Sequence, residues 1–229
     1  MTSTTTTART GPTADRSRRV GDTLFVMQIV SALGFGAFQG ALMLTTTEGV
    51  SLTWLVFWGI FLLINLSLSI RANELQPSRI TRQTVWTYAT WTAVMITTTG
   101  IYLFGDGILW TAIDTWTALI ALAGIAGTLH VGRRHALGVT DPLVRGYLAV
   151  FFKGVPQLTL AGNIFLVGGS GLSLFAIVIG HLTVCSRLGQ IIMSLREAGW
   201  DRNRQGSAIS EIANEISWIT VTVVWLIVP

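Results

Sequence analysis

The chain has 229 residues, 51% of them hydrophobic and only 11% charged, with a formal net charge of +4. A soluble domain carries about 25% charged residues, so a deficit this large, spread along most of the chain, points to lipid rather than water as the solvent. The lone Cys185 excludes an internal disulfide framework and a cysteine-based zinc site, and the basic residues are too dispersed for a nucleic-acid footprint.

The opening residues, MTSTTTTARTGP, are low-complexity and polar and belong to an expected disordered cytoplasmic tail over 1–19. Apolar segments follow at about 21–44, 50–70, 83–104, 108–130, 144–167, 172–194 and 207–228. Each approaches the roughly 20 residues that a bilayer-crossing helix needs. Helices are the physical choice, because lipid offers no partner for unpaired backbone groups. A cleaved signal peptide is the rival for the first segment, since arginines precede an apolar run. The rival is disfavoured because that segment has a counterpart later in the chain.

The connections alternate. TTTEGV, GDG and GGSG are short, whereas RANELQPSRITRQ, GRRHALGVTDP and the stretch from Arg196 to Gln205 are longer and charged. Arg9, Arg16, Arg18 and Arg19 precede the first segment, and Arg71, Arg79 and Arg82 lie between the second and third. Arg133, Arg134 and Arg145 separate the fourth from the fifth, and Arg187, Arg196, Arg202 and Arg204 fall at the end of the sixth or beyond it. All fourteen arginines therefore share one side of a seven-span chain. Basic residues stay cytoplasmic, which predicts an inside N-terminus and an outside C-terminus in the cell's inner (plasma) membrane.

The chain also answers itself. FGAFQ (Phe35 to Gln39) matches KGVPQ (Lys153 to Gln157), EGVSL (Glu48 to Leu52) matches SGLSL (Ser170 to Leu174), and ATW (Ala89 to Trp91) matches ISW (Ile216 to Trp218). The matches come in the same order within two three-helix units. Three spans leave the chain on the side opposite its entry, so a second unit of the same orientation needs one extra crossing. The expected fold is all-α and polytopic: a first triple-helix bundle over 20–104, a linker helix over 105–135, and a second parallel bundle over 136–229. Parallel repeats about an axis along the membrane normal are a known transporter plan, with the solute near the midplane.

The stretch PQLTLAGNIFLVGGSGLSLFAIVIGHL, from Pro156 to Leu182, resembles the PQ-loop repeat: a Pro-Gln pair, a polar turn, then an apolar helix. The three-one-three plan is similar to that of the SWEET and PQ-loop transporter superfamily. The first copy carries Phe38 where the family has proline. The resemblance implies a hinge at Pro156, and it implies that Asn214, in the third helix of its repeat, lines a solute pocket. Thr87 occupies the matching place in the first repeat.

Polar residues inside the spans give the remaining candidates. Lys153 is the only lysine and lies well inside the fifth span. A lysine there costs about 3 kcal/mol, so it should face the bundle interior. Pro156 and Gln157 stand three and four residues on, sharing its face, and Gly154 permits close helix approach. Asp114, Glu211 and Glu215 are the candidate counter-charges. By depth, with about 1.5 Å of rise per residue, Glu215 is the expected partner and Glu211 lies nearer the cytoplasmic mouth. His181, Glu215 and Asp114 are candidate proton carriers, and Trp58, Asn65, Gln28 and Gln39 add polar or aromatic lining.

The sequence-level expectation is a non-enzymatic transporter or facilitator of a small polar solute, bound by Asn214, Thr87, Trp58, Gln157, Glu215 and Lys153. The alternative is a non-transporting scaffold or receptor of the same architecture. An intramembrane enzyme lacks support, because no Asp-rich metal motif, HExxH or Gly-x-Ser-x-Gly elbow is present. No cofactor or metal is expected. The expected partners are the bilayer and the solute, with Gly36-x-x-x-Gly40 as a candidate homodimer contact.

Overall fold

The computed structural model describes residues 12–105 and 110–228, and every regular element among them is helical. The helices are α1 Pro12–Met43, α2 Leu52–Leu75, α3 Arg79–Phe104 and α4 Ala112–Arg134, followed by α5, α6 Leu174–Ala198 and α7 Arg202–Ile227. The fifth, α5, runs over Pro142–Val167 in three continuous parts: Pro142–Ala149, a π-helical turn Val150–Gly154, and Val155–Val167.

Local chemistry sets the starts. Ser51, Ser78, Thr111, Asp141, Ser173 and Asp201 stand before α2 to α7 in extended conformation, and each side chain accepts a backbone N–H of the first turn. The ends of α5 and α6 fall on Gly168 and Gly199, whose φ angles of 99° and 71° suit only glycine. Two boundaries differ from the sequence expectation. Helix α1 begins at Pro12, so residues 12–19 of the expected tail are helical, while residues 1–11 lie outside the described residues. Helix α7 begins at Arg202 rather than near 207, because Asp201 caps it there.

Five helices (α1, α2, α4, α5 and α6) are long and apolar enough to cross a membrane. The other two, α3 and α7, have 26 residues each but are diluted by threonines in α3 and by charged and amide residues in α7. These two are also the central helices of their groups. α3 packs against both α1 and α2, and α7 packs against both α5 and α6. Across the middle, α1 meets α6 and α2 meets α5, while α4 lies against α5 and touches α2. Exchanging α1–α3 for α5–α7 leaves the pattern of those six helices unchanged, and α4 breaks it by lying on one side.

One apolar core joins the groups, with Phe35, Trp54, Trp91 and Met95 continuous with Leu160, Ile164, Ile177 and Trp218. The outer surface is apolar too, exposing Val30, Ile96, Ile120, Phe165 and Ile216 as a lipid-facing chain would. Glycines set the closest crossings. A Cβ at Gly206 would run into the carbonyl of Pro142, so α5 and α7 meet backbone to backbone at their first turns. Gly36 packs against Val94, where a Cβ would come within 2.9 Å, and Gly40 faces Ile101 at 3.3 Å. The Gly36-x-x-x-Gly40 motif thus contributes to α1–α3 packing within the chain.

Candidate functional site

Helix α5 carries the main irregularity. In a regular helix the ring of Pro156 would press on the carbonyl of Phe152. The widened turn Val150–Gly154 lies there instead, closed by the Val155 N–H on the Val150 carbonyl. Such turns recur at functional sites. Lys153 sits within it and is 9% exposed. Gly154 lies in ordinary contact with Ala213 of α7.

The turn faces a small cavity of about 70 Å³ between the two helix groups. The first group contributes Phe35, Trp58, Phe61, Tyr88 and Trp91. Three of these rings interlock, with centroids 5.9 Å apart for Phe35–Trp58, 5.7 Å for Phe35–Trp91 and 5.4 Å for Trp58–Trp91. The second group contributes Lys153, Gln157, Arg187, Glu211, Asn214 and Trp218. Gly180 leaves room for the Trp218 indole, whose N–H donates to the Ile177 carbonyl at 3.0 Å.

Glu211 is the hub of the charged wall. Its Oε2 lies 3.7 Å from Lys153 Nζ and its Oε1 lies 3.4 Å from Arg187 Nε. The Lys153 ammonium also sits 5.7 Å from the Phe61 ring centre, and the Arg187 guanidinium 5.9 Å from that of Tyr88. The two cations share one carboxylate, and each lies near an aromatic ring.

The cavity's two ends differ. Toward the arginine-bearing end it adjoins a cleft lined by Asn65, Arg145, Arg187, Gln190 and Asn203. A second cleft, with Gln28, Gln83, Thr84 and Thr87, joins at Tyr88 and Arg187. The opposite end is closed by bonds between the groups. Fully buried Gln39 donates to the Gly171 carbonyl at 2.7 Å and accepts the Ser173 N–H at 3.1 Å. The Gly171 N–H reaches the Glu48 carbonyl at 3.0 Å, and the Ser170 hydroxyl donates to the Glu48 carboxylate. Gly49, at φ 78°, lies against the Gly168 carbonyl with no room for a side chain.

Of the residues singled out from sequence, Lys153, Gln157, Trp58 and Asn214 come together in this cavity. Gln157 accepts the Ser217 hydroxyl at 2.8 Å. Glu215 does not join them, and it is not the partner of Lys153. Its Oε1 lies 2.7 Å from His181 Nδ1, between α6 and α7. The earlier start of α7 moves Glu211 deeper than expected, so depth no longer favours Glu215, and helix rotation decides the pairing. His181 Nε2 in turn lies 2.9 Å from the Thr222 hydroxyl, which donates to the Trp218 carbonyl at 2.8 Å. His181 thus links Glu215 and Thr222 of α7 through its two ring nitrogens.

Thr87 lines the cleft between α1, α3 and α6 rather than the central cavity, and its hydroxyl donates to the Gln83 carbonyl at 3.0 Å. Asp114 is fully buried but lies away from the cavity. It accepts the Ser51 hydroxyl at 2.7 Å and the Asn163 amide at 3.2 Å, and it closes a capping box with Thr111. It ties α4 to the start of α2 and the end of α5. Sequence reasoning missed Arg187 and Phe35. Arg187 gave a signal, standing alone in the apolar run TVCSRLGQIIM. Read as a span end, it is instead more than two turns from the end of α6.

No family model, curated protein or solved structure matches this chain.

Proposed function

We propose that the chain is a membrane transporter or facilitator of a small polar solute, working by alternating access between α1–α3 and α5–α7. In this reading all seven helices span the bilayer, the arginine-bearing end is cytoplasmic, and the conformation described is open inward. One observation carries it: a polar, charged cavity between two like-arranged helix groups reaches clefts at one end and is bonded shut at the other. The resemblance to PQ-loop and SWEET-like transporters points the same way.

The mechanism follows from that asymmetry. Solute enters from the arginine side and meets Lys153, Arg187, Glu211, Asn214 and Gln157 against the Trp58 and Trp91 rings. Rocking of the groups then breaks the bonds of Gln39 and Glu48 and closes the clefts around Arg145 and Asn65. The π turn beside Pro156 is the weakest point of α5 and serves as its hinge. Lys153, Arg187 and Glu211 recognise charge and break no covalent bond.

The test is uptake in proteoliposomes with labelled sugars, amino acids and organic acids, across a pH gradient. Transport predicts that at least one solute moves and that Asn214→Ala and Glu211→Gln lower its uptake. If no solute moves and both changes lower only thermal stability, a scaffold or receptor is the better account.

A further inference from the structure

The charged wall of the cavity is unbalanced, and the imbalance specifies the cargo. Among the described residues lining it, the formal charges are Lys153 and Arg187 against Glu211 alone. Glu211 is shared: its contacts at 3.7 Å and 3.4 Å are loose for charge-assisted bonds, and Oε2 is buried with no hydrogen-bond partner. One positive charge is left over in a site where lipid and protein screen little. Phe35, Trp58 and Trp91 line the same cavity from the first helix group.

We infer that the cargo is a small organic monoanion, a carboxylate with a flat apolar body, held by Lys153 and Arg187 with its body against Trp58 and Trp91. This rests on the transport reading for calling the bound molecule cargo. A bound carboxylate makes the wall neutral and gives the two cations a second acceptor. A neutral solute leaves the surplus charge in place, a cation adds to it, and a dianion overshoots. Neutrality favours the loaded state for the occluded step, when the cavity is cut off from water at both ends. The empty protein keeps Glu211 as an imperfect internal substitute.

Three probes of one shape and different charge test this: benzoate, benzamide and benzamidine, titrated by calorimetry against the purified full chain in detergent. The expected order is benzoate, then benzamide at least tenfold weaker, then benzamidine. Arg187→Gln should abolish the benzoate preference. Glu211→Gln should tighten benzoate several-fold, since it removes the competing carboxylate. That opposite sign, and the wild-type comparison itself, separate recognition from a fold defect. Equal or better binding of benzamide or benzamidine, or weaker benzoate binding by Glu211→Gln, overturns the inference. Benzoate bound in this order but never carried in proteoliposomes would refute transport and leave the anion site standing. Carriage of neutral solutes that benzoate does not inhibit would refute the anion site and leave transport standing.

Discussion

Gln39→Leu should release the sealed end of the molecule. The substitution keeps volume but removes both bonds of a fully buried amide, at 2.7 Å to the Gly171 carbonyl and 3.1 Å from the Ser173 N–H. Each group left buried and unpaired costs about 1–3 kcal/mol. The penalty applies where those groups are buried, which is the state closed at that end; once the seal opens, water satisfies them. A loss of about 3 kcal/mol shifts the equilibrium toward the opposite-facing state roughly a hundredfold, at about 1.36 kcal/mol per tenfold. The assay uses Thr183→Cys, whose side chain lines the cavity, in a background where exposed Cys185 is replaced by alanine. A membrane-impermeant maleimide is applied from the side away from the arginines. Labelling should accelerate markedly in Gln39→Leu. Unchanged labelling with a lowered melting temperature would mean that Gln39 clamps the fold and gates nothing.

Asp114→Asn sets an amide donor among groups that donate to the present carboxylate, so it should cost about 2–4 kcal/mol in thermal unfolding, while folded protein keeps its pH response. Loss of that response would identify Asp114 as a proton carrier. Glu215→Gln should preserve the fold, because its amide can donate to His181 Nδ1. It removes the carboxylate that faces His181, so uptake should persist but cease to respond to an imposed pH gradient; an unaltered response excludes the pair from coupling. Gly206→Ala forces backbones apart where α5 and α7 cross and should lower stability by about 3 kcal/mol or prevent accumulation. Gly59→Ala and Gly127→Ala, which meet nothing within 4 Å, should be nearly neutral in the same unfolding assay.

The helices were legible because hydropathy and length speak together, and seven segments reappear as α1 to α7 with ends shifted by up to five residues, apart from the start of α1, which lies nine residues earlier at Pro12. Helices α3 and α7 stayed readable despite weak hydropathy because 83–104 carries no charged residue and 207–228 carries only Glu211 and Glu215. Partnership was less legible. Lys153 and Gln157 were related by spacing on one helix, Trp58 was picked from its place within a span, and Asn214 was implied by the resemblance. Which glutamate meets Lys153 depends on how α7 rotates against α5, and that is set by the Gly206–Pro142 crossing and the π turn, neither of which spacing reveals. Arg187 was misplaced for a related reason: an arginine near a span end reads as interfacial unless the helix is known to continue to Ala198.

The central claim is that two three-helix groups rock about a shared wet cavity. Paired spin labels measure it directly, one pair at Gln76 and Asn203 on the arginine side and another at Thr45 and Leu166 at the sealed end, followed by pulsed dipolar spectroscopy on the reconstituted chain with and without benzoate. The account predicts that benzoate shortens the first distance and lengthens the second within one shifting population. Two distances that stay fixed, or that change together in the same direction, would contradict it.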